Sequence, residues 1–271
     1  MVIDFHTHVF PDKIAKRAIE TLEGNIVNIQ GEEYPARTDA TLGELIRTMK
    51  EDGVDYSVVL PIATTVRQSD SINRFACEIN GKDGIISFGS IHPLQDDYEE
   101  VLEKIKEAGL IGIKLHLEYQ GVFLETKRMI NILKKTEELG LYVVFHAGSD
   151  IGMPDPVHCT PESLSHILGY VRGDKIIAAH MGGWKMWEDV ERFLVGTPIM
   201  FDTSYVGKFI DAEQFRRIVR GHGSEKILFG TDHPWERACE NMRFVNGAGL
   251  DKDELENVYY RNAARILGIS I

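Results

Sequence analysis

Eight short runs rich in β-branched, aromatic and aliphatic residues alternate along this chain with amphipathic helical stretches, and this alternation restricts the fold more than any other feature. The runs are Val2 to His8, Asp55 to Ile62, Ile85 to His92, Gly112 to Leu117, Tyr142 to Ala147, Lys175 to His180, Ile199 to Thr203 and Lys226 to Gly230. Tyr142-Val143-Val144-Phe145 and Ile227-Leu228-Phe229 are apolar at every position, as strands are when helices cover both faces of a parallel sheet. Between the runs, Asp96 to Gly109 places Tyr98, Val101, Leu102, Ile105 and Ala108 at helical spacing before a terminating glycine. Thr126 to Gly140 repeats that grammar, and Thr160-Pro161 and Asp251 to Glu254 read as helix starts. Gly24 to Ala40 is polar and glycine-bearing; it reads as a loop or small hairpin inserted in the first βα crossover, placed to act as a lid. At 271 residues the chain is near the ~250 typical of a (β/α)8 barrel, so one α/β domain over residues 1–271, a TIM-like barrel, is expected.

Charge and cysteine content narrow the partners. Forty-two acidic against 30 basic residues give a formal charge of -12, which repels phosphate backbones and anionic membranes and disfavours nucleic acid. Cys77, Cys159 and Cys239 are odd in number and widely spaced, so they read as reduced thiols of a cytoplasmic protein. No apolar run approaches the ~20 residues of a membrane span, and no basic leader precedes the first run.

The chemistry-bearing residues gather at the ends of the runs. His6 and His8 end the first, His92 the third, His116 the fourth, His146 the fifth and His180 the sixth, while Asp232 and His233 follow the eighth. Parallel barrel strands all open their C-terminal ends on one face, so these positions converge. Period-two alternation places Asp4, His6 and His8 on one face of the first strand, where the two imidazoles can grip one ion. His6, His8, His146 and Asp232 make a nitrogen and oxygen donor set for one divalent metal, zinc first, with manganese or iron as alternatives. His180, on the neighbouring strand, is expected to orient a metal-activated water or shuttle its proton.

The set His6-x-His8, Phe145-His146-Ala147-Gly148, Ala179-His180-Met181-Gly182-Gly183 and Phe229-Gly230-Thr231-Asp232-His233-Pro234 resembles the amidohydrolase superfamily, in particular its aminocarboxymuconate-semialdehyde decarboxylase-like branch. The likeness runs to the terminal helix Asn257 to Leu267. It implies His6, His8 and His146 as metal ligands, Asp232 as a ligand that also moves protons, and His180 beside the water. A homodimer is expected from the family alone. Binuclear relatives carry a carboxylated lysine after the fourth strand, where this chain has Gly112-Ile113-Lys114-Leu115-His116. Lys114 reads instead as a buried cation paired with Asp4 or with a substrate group, and His116 as a substrate contact.

The leading function is a metal-dependent hydrolase acting on a small-molecule ester, lactone or amide. A nonoxidative decarboxylase of an unsaturated or aromatic acid uses the same ligands and is the alternative. A TatD-like nuclease is disfavoured by the charge, and a non-catalytic metal-binding barrel is the remaining class. Further candidates are His233 to line the pocket, Trp184 and Trp187 on the loop after the sixth strand, His158 as a gate residue, and Arg67 to hold an anionic substrate.

Overall fold

The structure, a computed structural model, describes residues 1–271. The strands are β1 (Ile3–Thr7), β2 (Tyr56–Val59), β3 (Ile85–Ser87, resumed at Gly89–Ser90), β4 (Gly112–Leu115), β5 (Tyr142–Phe145), β6 (Ile176–Ala178), β7 (Met200–Asp202) and β8 (Ile227–Leu228). Each lies inside one of the eight expected runs. Neighbours pair in parallel in sequence order, as two ladders that divide at Phe88 within β3. The first and last strands are joined by the Phe5 N–H donating to the Phe229 carbonyl at 2.7 Å and the Asp232 N–H to that of His6 at 2.8 Å. Eight parallel strands linked mostly by helices form the expected TIM-like barrel.

Burial divides into two apolar clusters. The smaller holds Ile3, Phe5, Val58, Leu60, Phe88, Val144, Ile177, Met200 and Leu228 and fills the space inside the strands. Ala263 and Ala264 of the terminal helix join it, so that helix plugs the end opposite the functional face, with Asn262 Nδ2 donating to the Ile227 carbonyl. The larger cluster is the layer between strands and surrounding helices. Thr126 caps Lys127–Leu139 by accepting from the Met129 N–H, Thr160 does the same for Pro161–Ile167 through Ser163, and Asp251 forms a capping box with Glu254. These ends fall where the sequence signals them.

The stretch 24–40 differs from its expectation of a loop or hairpin. Helix α1 (Asp12–Gln30) runs through Gly24 and stops only at Gly31, which takes the left-handed φ of 72°. A mid-helix glycine costs up to about 1 kcal/mol against alanine, but Ile19 and Ile26 lie two turns apart on one face and both are buried, which offsets it. The rest is a strap. Its Arg37 N–H donates to the Pro234 carbonyl at 2.7 Å and its Thr38 hydroxyl meets His233 Nε2 at 2.8 Å, tying it to the loop after β8.

Candidate metal centre

A β-bulge in the first strand aims the opening histidine. Ile3 pairs with Tyr56 and Asp4 with Ser57, but the next pair is Thr7 with Val59, so three steps on β1 oppose two on β2. Alternation therefore fails between Asp4 and His6. Asp4 turns outward into a small chamber shared with Leu45, Met49 and Val54, where it accepts from the Thr231 hydroxyl at 2.6 Å and the Thr231 N–H at 3.0 Å. This corrects the expectation that Asp4 shares a face with His6 and His8, and it removes Asp4 as a partner for Lys114.

His6, His8 and Asp232 come together as expected. The two Nε2 atoms lie 3.2 Å apart, and Asp232 Oδ1 is 3.1 Å from His8 Nε2 and 3.4 Å from His6 Nε2. Gly230 allows this approach, since a Cβ there would stand 2.8 Å from His6 Cβ. Asp232 has a left-handed φ of 63°, which aspartate tolerates better than most side chains. The other ring nitrogens fix the tautomers. His6 Nδ1 faces the Asp202 carboxylate at 2.7 Å and His8 Nδ1 the Leu60 carbonyl at 2.7 Å, and both partners only accept. Each Nδ1 thus carries the proton, and each Nε2 turns a lone pair toward the other and toward a carboxylate. Two lone pairs and an anion converging at hydrogen-bond distance form a donor set for a cation.

Lys114 supplies part of that charge. Its Nζ donates to His6 Nε2 at 3.2 Å from a fully buried side chain, so the lysine reaches the ligand group. Burial lowers its pKa to about 8 against the opposing fields of Asp202 and Asp232. Burial and then Lys114 hold His6 down to about 3, which keeps the imidazole neutral and able to ligate.

His146 stands apart from this trio. It groups with His116 and Asp150: Asp150 Oδ2 is 3.2 Å from His116 Nε2 and 3.7 Å from His146 Nε2. The His116 and His146 rings are stacked, with centroids 4.1 Å apart and planes 9° from parallel. In-plane lone pairs of stacked rings lie in separate planes, so they do not meet on one ion. His146 is linked to the first group through His180, whose Nε2 lies 3.0 Å from His146 Nδ1. His180 Nδ1 donates to the Ser204 carbonyl at 2.8 Å, and with His146 Nε2 donating to the Ser149 carbonyl at 3.1 Å, a second pair of lone pairs faces inward. Trp187 Nε1 donates to the His180 carbonyl at 3.0 Å, so this tryptophan braces the strand end.

Three acidic or polar residues escaped the sequence reading. Asp202 and Ser204 lie at and just beyond the end of β7, and Asp150 follows β5; the rule that collected the histidines, a polar residue at a strand end, would have found Asp202. Among the weaker candidates, His233 Nδ1 donates to the His8 carbonyl at 3.1 Å, the His158 N–H donates to Glu118 Oε1 at 2.9 Å, and Arg67 is exposed. His92 accepts from the Leu94 N–H at 3.2 Å as a turn residue.

A parallel eight-stranded barrel with a histidine and aspartate donor set at the strand ends defines a class of barrel proteins able to hold a divalent metal. A family profile described as Amidohydrolase matches residues 3–269, and the chain belongs to that family. Among solved structures, 5-carboxyvanillate decarboxylase from Sphingomonas paucimobilis is similar with a TM-score of 0.72, 17% identity and 99% of each chain covered. A second 5-carboxyvanillate decarboxylase, from Novosphingobium aromaticivorans with bound manganese, is similar at 0.73, with 15% identity over 99% of this chain and 97% of that one. The probable 2-pyrone-4,6-dicarboxylic acid hydrolase from Acinetobacter baumannii, with citric acid bound, is similar at 0.65, with 18% identity over 98% and 99%. No curated protein sequence matches the chain.

Proposed function

We propose that this protein is a metal-dependent hydrolase of a small ester, lactone or amide. The observation that carries the reading is the convergence of His6 Nε2, His8 Nε2 and Asp232 Oδ1 within 3.4 Å, with both Nδ1 protons committed elsewhere. A divalent metal bound there, zinc first, supplies Lewis acidity and brings the pKa of water to about 7. His6, His8 and Asp232 would hold it, with His146 Nδ1 as the fourth donor. Asp232 takes the proton of the attacking water and passes it to the leaving group, while the His180 Nε2 lone pair accepts a hydrogen bond that aims the water. Lys114 balances the negative charge that grows on the substrate oxygen, and His116 contacts the substrate from the wall.

Hydrolysis of an uncharged substrate is favoured because the wall around His116 carries Asp150, whose Oδ2 lies 3.2 Å from His116 Nε2 and repels a substrate carboxylate. Nonoxidative decarboxylation is the second reading, favoured by the similarity to 5-carboxyvanillate decarboxylases. Ring opening and carbon dioxide release, measured side by side over a panel of lactones, esters and aromatic acids, separate the two. Decarboxylation alone would overturn the proposal. One metal equivalent per purified chain supports the mononuclear arrangement, and two would move Lys114 to a bridging role.

A further inference from the structure

Asp202 at the end of β7 sits where two site histidines meet. Its Oδ2 accepts from His6 Nδ1 at 2.7 Å. Its Oδ1 accepts from the His180 and Ser204 N–H groups, each at 3.0 Å, and from the Ser204 hydroxyl. The Asp202 carbonyl takes the Met181 N–H at 2.7 Å. His180 and Met181 both have left-handed φ, 59° and 56°, an arrangement that costs roughly 1–2 kcal/mol per residue and persists only where neighbours hold it. Ser204 Oγ lies 3.1 Å from His6 Nδ1 and 2.9 Å from His180 Nδ1, so it touches both rings.

We propose that Asp202, with Ser204 as its partner, is the positioning residue that sets the tautomer of His6 and the backbone seat of His180 together. A carboxylate only accepts, and every group aimed at it donates, so His6 carries its proton on Nδ1 and leaves the Nε2 lone pair for the centre. The Lys114 ammonium, donating to that same Nε2, agrees with this assignment. Asparagine cannot serve at this position, because one of its terminal atoms is a donor. An amide NH2 in place of Oδ2 would face His6 Nδ1 and select the Nε2–H form, deleting a donor from the metal group. In place of Oδ1 it would meet two N–H groups and a hydroxyl, releasing the turn that aims His180.

The inference rests on the metal reading for its consequence but is tested first without metal. Long-range 15N–1H spectra of the metal-free wild-type chain are expected to show Nδ1–H at both His6 and His180, and Nε2–H at His6 overturns the proposal whatever the variants do. Asp202→Asn is expected to weaken Zn2+ or Mn2+ binding 10- to 100-fold in a chelator competition, with His6 changing tautomer or the 180–182 amides losing exchange protection. Ser204→Ala keeps His6 as Nδ1–H, because Asp202 remains, and weakens metal binding less. A folded Asp202→Asn with wild-type affinity, unchanged His6 and unchanged amides sinks the idea. Nδ1–H at His6 in a wild-type chain that binds no divalent metal upholds the positioning role and overturns the proposed function instead.

Discussion

Two groups at the barrel mouth each contain two histidines and one aspartate, yet only in the first do the two ring lone pairs converge beside the carboxylate. In the first, the rings of His6 and His8 meet at 78° and their Nε2 atoms close to 3.2 Å beside Asp232. In the second, His116 and His146 lie flat on each other and bracket Asp150 from parallel planes. Residue type and burial are alike, so ring orientation makes the difference. A shared ion needs lone pairs that intersect, whereas a shared carboxylate needs only donors within reach.

The largest effect that could break this contrast is loss of the metal. His6→Ala or His8→Ala is expected to abolish stoichiometric metal uptake and take activity to background, with far-UV circular dichroism unchanged; full metal occupancy in either variant would remove the first group as the centre. His180→Ala should keep metal near wild-type occupancy and lower kcat by roughly 10²–10⁴-fold, the range for a lost proton-handling group. Parallel loss of metal would make it a ligand instead.

A pH experiment sharpens the other half. Burial pushes Glu118, beside His116, from 4.5 up to about 7. A carboxyl whose folded pKa exceeds its unfolded value binds more protons when folded, so stability falls as pH rises from 4.5 to 7 and is level above. Glu118→Gln is expected to flatten that slope, by about 3 kcal/mol across the window in urea unfolding. An unchanged slope would deny Glu118 this role. His116→Ala should cost the least, about 1–2 kcal/mol of stability, with metal affinity within a few-fold of wild type. A collapse of affinity there would show that His116 ligates as well.

Much of this arrangement was legible along the chain. Strand positions follow from apolar-rich runs of five to eight residues, and helix ends from Thr126, Gly140, Thr160 and Asp251, because these signals are local in backbone geometry. Gly24 misled because helix continuation depended on where Ile26 would be buried, which is a tertiary matter. Asp4 misled for a related reason: a bulge changes the facing of every residue on one side of it, and only the partner strand reveals it.

By itself the sequence determined that eight parallel βα units form a barrel and that His6, His8 and Asp232 end up at one mouth, since strand periodicity and chain direction dictate both. Tertiary structure alone decided the rest: that Asp4 serves Thr231, that Asp202 holds His6, that Lys114 reaches Nε2, and that His146 lies on His116. The physical reason is that a lone pair or proton has a direction, and no spacing along a chain specifies the angle between two imidazole rings brought together from different strands.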